Sequence, residues 1–554
     1  MYSKDDGAAS PLLGPSTGPQ EDQSRVNDTQ SGQGRPRPRT DDPSISSDNS
    51  TDLDELVKNL EEDHVRAEGE EEVTPYILLL VLCASISGLM FGIDTAIISG
   101  TLPVIGTSLS AHILSNKEKE LITSSTTVGA LVGGLLGGTV SDYWGRRAVI
   151  VCADAVFVGG ALVQAVAGTV WMMVTGRIIV GLGVGLASCI IPLYIGELSP
   201  SQLRGKLVTL NVLAITAGQC VAYGVGAGFQ RVEGGWRWMV GLSAIPAMVQ
   251  LACMAFLPES PRILLKRGHS EQALQVLTKI YTHATREQVH AKAWVLHASV
   301  RESVRVMEGR SFRQRCASLW RVGANRRALV VGAGLQALQQ LCGFNSLMYY
   351  SSTLFAALGF RNSTAVSSLV AIINFLFTLI SLRIVDPFGR RRTMLYTLPG
   401  MIVSLFLVAG FFLRLTKDTH YRLEPGLEYP KGWTAWAVGA MLAYVASYAL
   451  GLGCIPWAQG ELFRLEVRGI GTSLCTATNW ACNLVISATF LSLMEVITPS
   501  GAFAMYGVVC VLGYVFCYFC QPETSYLTME QTYELFTDDY GIRKWEKLRK
   551  SQLE

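Results

Sequence analysis

The chain has 554 residues, a formal net charge of +2, 49% hydrophobic residues and only 16% charged ones, with a mean hydropathy of +0.30. A water-soluble chain would be expected to carry about 25% charged residues, which excludes one soluble globular fold as an account of the whole. From Pro75 onward the apolar excess collects into runs of roughly twenty residues, the length that crosses a hydrocarbon core of about 30 Å as a helix.

In chain order, residues 1–74 come first. They are rich in Ser, Pro and Gly, with acidic runs such as Asp41-Asp42 and Asp52-Leu53-Asp54-Glu55. Too little apolar area is available to offset the entropy of ordering, so a disordered tail is expected. No apolar run opens the chain, so the first span is expected to act as its own uncleaved anchor. Leu12-Leu13 behind Asp5-Asp6 reads as a chance match to a sorting signal, and the sequon at Asn27 falls within the same tail.

Twelve spans follow, near 76–100, 121–141, 149–168, 172–194, 208–229, 236–257, 328–352, 366–385, 394–414, 432–457, 470–493 and 500–520. The expectation is an all-α membrane protein of two six-helix bundles, 75–258 and 328–520. A helical linker at 259–327 joins them, and a tail at 521–554 follows. Gly129, Gly133 and Gly137 recur at i, i+4, i+8 in the second span, which predicts close interhelical contact.

Arg146/Arg147, Arg204/Lys206, the 262–327 stretch, Arg390/Arg391/Arg392 and Arg464/Arg468 fall on one side of these spans. Most opposite loops carry at most one basic residue. The basic side is therefore expected to be cytoplasmic, with both termini there. Thirteen cysteines are present, none at metal-ligand spacing, and they read as small hydrophobes. His283, His290 and His297 recur every seven residues, about 10 Å apart along a helix and too far to share an ion. No metal or cofactor is expected.

Ionisable groups at membrane depth are the strongest pointers to function. Asp94 lies well inside the first span and needs a partner or a proton. Arg177 in the fourth span supplies the partner, since both fall in the same half of the membrane. The pair reads either as a protonation switch or as a static tie between helices. The seventh span holds Gln336, Gln339, Gln340, Asn345, Ser346, Tyr349 and Tyr350, while Asn374, Trp457, Asn479, Trp480 and Asn483 follow in later spans. Amides offer both donors and acceptors, and an aromatic ring suits the apolar face of a ring polyol, so this set points to a neutral polyhydroxylated solute.

Several signatures occur twice. Gly196-Glu197-Leu198 with Arg204 returns as Gly460-Glu461-Leu462 with Arg468, and Pro258-Glu259-Ser260 returns as Pro522-Glu523-Thr524, both at an offset of 264 residues. Asp142 with Arg146 and Arg147 returns as Asp386 with Arg390 and Arg391, offset by 244. A duplicated unit is indicated. The pairings expected are Asp142 with Arg146 and Arg147, Glu197 with Arg204, and Glu461 with Arg468. They would form a gate network when the ends of the two halves meet.

These motifs, with Gln339-Gln340-Leu341-Cys342-Gly343-Phe344-Asn345 and Pro456-Trp457, resemble the sugar porter branch of the major facilitator superfamily over about 75–530. That resemblance implies a carrier, not an enzyme. Phe91 and Asp94 would take the opening-span sugar and proton positions, and Arg177 that of the partner arginine. Gln339, Gln340, Asn345, Tyr350, Asn374 and Trp457 would contact sugar or line the pocket, and the read-out of the amides adds Asn479. Where hexose members usually carry a fifth-span glutamine, this chain reads Asn211-Val212. Gly218-Gln219, Asn345-Ser346-Leu347-Met348-Tyr349 and Thr476-Ala477-Thr478-Asn479-Trp480 resemble fungal myo-inositol transporters more closely. The resemblance implies a plasma-membrane importer coupling myo-inositol to a proton, working as a monomer among membrane lipids with no nucleic-acid partner. A hexose or other polyol symporter, an uncoupled facilitator and a transporter-like nutrient sensor are the alternatives.

Overall fold

A computed structural model describes residues 72–545 apart from 201–202, 308–310, 361, 424–426, 428, 526, 528 and 543. Most of the expected tail, with Leu12-Leu13 and Asn27, lies outside the described residues, as does the side chain of Asp386. Among the described residues the chain is helical, with no strand. Ten helices among the described residues are long and apolar enough to cross a membrane, and two irregularities bring the spans to twelve.

The first irregularity is Leu465–Cys520, 56 residues in one run. As a straight helix it would be about 84 Å long, far beyond one hydrocarbon core. Pro499 has no amide hydrogen and crowds the residue before it out of the helical region; Thr498 leaves the helix at φ 69°, ψ 157°, and the run becomes the eleventh and twelfth spans. The second is the seventh span, which is split into Gly323–Leu341 and Phe344–Ala357 by Gly343 at φ 87°. A side chain at Gly343 would be strained in that conformation and would stand 2.5 Å from the Tyr506 ring. The tenth span breaks as well. Its α-helix Lys431–Leu450 gives way to a 3-10 turn at Ile455–Leu462.

Glycine stripes set the packing. A Cβ on Gly129 would lie 2.1 Å from the Ile178 carbonyl, one on Gly133 would lie 2.4 Å from that of Leu182, and one on Gly137 would meet Cys189 at 3.0 Å. The expected stripe thus seats the second span on the fourth within one half. One position round the helix, a Cβ on Gly138 would stand 2.6 Å from the Gly469 carbonyl, so that row faces the eleventh span of the other half. The linker forms helices Pro261–Lys266, Ser270–Ile280, Arg286–Met307 and Phe312–Arg321. Ala273, Val276, Leu277 and Ile280 pack with Ile195 and Leu198 beneath the first half, at the face bearing the paired arginines, hereafter the basic face.

Candidate functional site

Span one brings Asp94 to Arg177 of span four, with Arg177 Nη1 donating to Asp94 Oδ1 at 2.7 Å. Arg177 is wholly buried, and its Nε and Nη2 have no partner. A guanidinium with two idle donors in an apolar interior depends strongly on the one carboxylate it does hold. Beside it, Asn483 Nδ2 donates to the Tyr349 hydroxyl at 3.2 Å.

The amides form one directed chain. Asn345 Nδ2 donates to Gln340 Oε1 at 2.6 Å, and Gln340 Nε2 donates to Asn479 Oδ1 at 3.1 Å. Asn479 Nδ2 in turn donates to Gln336 Oε1 at 2.5 Å and Gln339 Oε1 at 2.9 Å. Gln339 Nε2 ends on the Leu452 and Gly453 carbonyls at 3.0 and 3.2 Å, which the break in the tenth span leaves outside any helix ladder. Gln336 Nε2 ends on the Pro456 carbonyl at 3.0 Å and on Gln459 Oε1 at 2.9 Å.

Against this chain lie three rings. Phe91 has its centroid 5.3 Å from Trp480 and 6.4 Å from Trp457, and Trp480 Nε1 donates to Ser188 Oγ at 3.1 Å. A narrow cleft lies beside Phe91 and Trp457, bounded also by Ser87, Ser188 and Asn211 among others. Asn211 Oδ1 is buried there without a partner, an acceptor ready for a ligand hydroxyl.

Gln339, Gln340, Asn345 and Asn479 are therefore brought together in one row, and Phe91 and Trp457 meet at the cleft. Asn374 joins Gln219 of the fifth span at 2.8 Å, a bond between the halves. Tyr350 is not brought to the amides. Five residues on from Asn345, it is turned about 140° around the helix, donates to the Ser487 carbonyl at 2.7 Å and stacks on Phe490. Sequence reasoning missed Gln459, a lone amide two residues past Trp457. It also missed Asp154, a carboxyl in the third span that is 0% exposed with neither oxygen partnered. The signal for Asp154 was available: a single acid in an otherwise apolar run.

On the basic face the expected pair of Asp142 with Arg146 is present, while the two glutamates take other partners. Arg146 bonds Asp142 at 2.9 Å and Glu197 at 3.1 Å, while Arg204 Nε donates instead to the Gly196 carbonyl at 2.9 Å. Glu461 pairs with Arg390, and Arg468 Nε donates to the Phe463 carbonyl. A further carboxylate completes each knot. Glu259 accepts the backbone N–H groups of Arg146 and Arg147, and Glu523 those of Arg390 and Arg391. Each caps a helix N-terminus, where a negative charge is favoured. Gly145 at φ 89° and Gly389 at φ 100° leave room for it, since a Cβ there would stand 2.3 and 2.5 Å from those carboxylates. Arg147 and Arg391 cross to carbonyls at the ends of the sixth and twelfth spans. The ion pairs of each knot lie within its own half, so each braces its bundle internally. The expected pairing of Glu197 with Arg204 is corrected to Glu197 with Arg146, and that of Glu461 with Arg468 to Glu461 with Arg390.

The halves meet through hydroxyl and backbone groups and one carboxylate, Glu120. Gly138 N–H donates to Ser473 Oγ at 3.1 Å near the basic face. Toward the far face Ser99 lies 3.2 and 3.1 Å from the Ser351 and Ser352 hydroxyls, and Tyr223 bonds Ser351 at 2.8 Å and the Met348 carbonyl at 3.0 Å. Glu120 accepts the N–H and hydroxyl of Ser492 at 2.8 and 2.6 Å. The two halves are thus tied near both faces. Among the described residues no His, Cys, Asp and Glu cluster is arranged to hold a metal.

Comparison with known proteins agrees with this architecture. The chain is 56% identical over 90% of its length, and 88% of the relative's, to "Myo-inositol transporter 1" of Cryptococcus neoformans var. grubii serotype A. It is 42% identical over 87% of its length, and 83% of the relative's, to "Myo-inositol transporter 1" of Saccharomyces cerevisiae. A solved structure of the proton:xylose symporter XylE bound to 6-bromo-6-deoxy-D-glucose superposes with a TM-score of 0.71 at 30% identity, covering 83% of this chain and 99% of that one. With two six-span halves, a buried row of amides in the second, and a match over residues 80–536 to the family described as "Sugar (and other) transporter", this multi-pass membrane protein belongs to that family of the major facilitator superfamily.

Proposed function

We propose that the chain imports myo-inositol across the plasma membrane together with a proton, by alternating exposure of one central site. The observation that carries the substrate is the 56% identity to a myo-inositol transporter over nearly the whole chain. The likeness to a xylose symporter, at 30% identity, makes a pentose or hexose solute the weaker reading. The site suits a cyclitol chemically: ring hydroxyls would meet Asn345, Gln340 and Asn211, and the ring face would lie on Trp457 and Phe91.

In this reading the basic face is cytoplasmic, both termini lie there, and a monomer suffices. Asp94 takes a proton from outside and releases Arg177, the braced halves rock about the site, and re-pairing of Asp94 with Arg177 after proton loss resets the carrier. If one net charge crosses, the membrane potential contributes about 2.3 kcal/mol per 100 mV. The test is uptake of labelled myo-inositol by purified protein in liposomes under imposed pH gradients, with unlabelled polyols and hexoses as competitors. Accumulation that follows the gradient and yields to cyclitols is expected. No cyclitol movement, or stronger competition by hexoses, would overturn the substrate; accumulation without a gradient would overturn the coupling.

A further inference from the structure

We propose that Gln459, on the 3-10 turn after the break in the tenth span, is a positioning residue that fixes which way round the amides face the solute. The inference rests on the transport reading above and concerns its specificity. An amide is nearly symmetric in shape but opposite in chemistry at its two ends, so a row of them works only if every member agrees on a direction.

The direction here starts from groups that can only accept. Gln339 Nε2 meets the Leu452 and Gly453 carbonyls, and Gln336 Nε2 meets the Pro456 carbonyl. Both glutamine oxygens must then point at Asn479, which can only answer with Nδ2. Its Oδ1 faces Gln340 Nε2, and Gln340 Oε1 faces Asn345 Nδ2. At the end of the row, Asn345 Oδ1, the second N–H of Asn345 and the second N–H of Gln340 are the valences left over for a solute. Reversing Gln336 would place donor against donor at Asn479 and pass the fault to Asn345.

Gln339 has two carbonyls to hold it, whereas Gln336 has one carbonyl and Gln459. Gln459 Oε1 takes the second N–H of Gln336 at 2.9 Å, and Gln459 Nε2 is held by Thr476 Oγ1 at 2.9 Å. All four side chains are buried, Gln336 and Thr476 completely. Gln459 touches none of the solute-facing valences; it acts through Gln336. Because the same short turn carries Trp457, the polarity of the amides and the seat of the aromatic ring move as one piece.

The experiment compares Gln459→Leu with Gln459→Glu in liposomes, measuring KM and kcat for myo-inositol and for an inositol epimer. A neutral glutamic acid still offers Gln336 a carbonyl and Thr476 a hydroxyl. Gln459→Leu is expected to raise KM about tenfold, the effect of one buried donor left unpaired, with kcat and the pH-gradient dependence within about twofold. It should also shrink the preference between epimers. Gln459→Glu should restore KM to within about threefold. An unchanged KM in Gln459→Leu, or equal damage from both substitutions, overturns the proposal. If Gln459→Leu does not reach the membrane, Thr476→Val must show a raised KM at unchanged kcat, and a normal KM there overturns it too. Wild-type protein that moves no cyclitol would instead sink the transport reading itself.

Discussion

The two halves share a frame and differ inside. Glu259 and Glu523 cap equivalent helices over equivalent glycines, and Arg147 and Arg391 reach equivalent carbonyls. Yet the first half buries Asp94, Arg177 and Asp154, while the second buries Gln336, Gln339, Gln340, Asn345 and Asn479. A duplicated scaffold keeps what makes a bundle rigid, and its interior is free to diverge. Ionisable groups at membrane depth, which respond to protons, lie in the first half, and the directed row of neutral amides, which reads hydroxyl geometry, lies in the second.

The sharpest way to break this division is Asp94→Asn. If the first half carries the coupling, accumulation of myo-inositol against a gradient falls to an inside-to-outside ratio of about 1, while exchange of labelled for unlabelled solute persists and loses its pH dependence. Loss of exchange along with accumulation would return the pair to a static tie. On the other side, Gln340→Ala removes an amide bonded to both Asn479 and Asn345, and KM should rise about tenfold to a hundredfold for roughly 1.5–3 kcal/mol of lost binding. The uphill ratio at saturating solute should be unchanged.

The shared frame is tested by Glu259→Gln and Glu523→Gln. Each weakens a charge-assisted cap by about 1–3 kcal/mol, so thermal unfolding in detergent should shift down by similar amounts in both variants. A large shift in one alone would show that the frames are not equivalent. The smallest effect is expected from Tyr350→Phe, which loses one hydrogen bond worth about 0.5–1.5 kcal/mol of stability. Its KM should stay within about twofold, and a tenfold rise would put Tyr350 in the binding site after all.

Apolar run length made the twelve spans legible, because the hydrocarbon core imposes it on any crossing helix. Asp94 and Arg177 were legible for the complementary reason, that charge at that depth is costly. Partners across helices were not. Glu197 was matched to Arg204 by nearness in sequence, but Arg146 arrives from another helix, and no spacing rule encodes that approach. Tyr350 was grouped with the amides because they share a span, yet Gly343 starts a new helix whose rotation turns the ring toward Phe490. The direction of the amide row was invisible for a similar reason: it is set by carbonyls exposed where the tenth span unwinds at Gly451.

The seam of Ser99, Tyr223, Ser351 and Ser352 carries no formal charge. Dissolved ions therefore have nothing to screen in it, and each bond given up on parting is replaced by one of the same kind from solvent. A cell moved between fresh and saline surroundings would find this part of the door equally easy to unlatch.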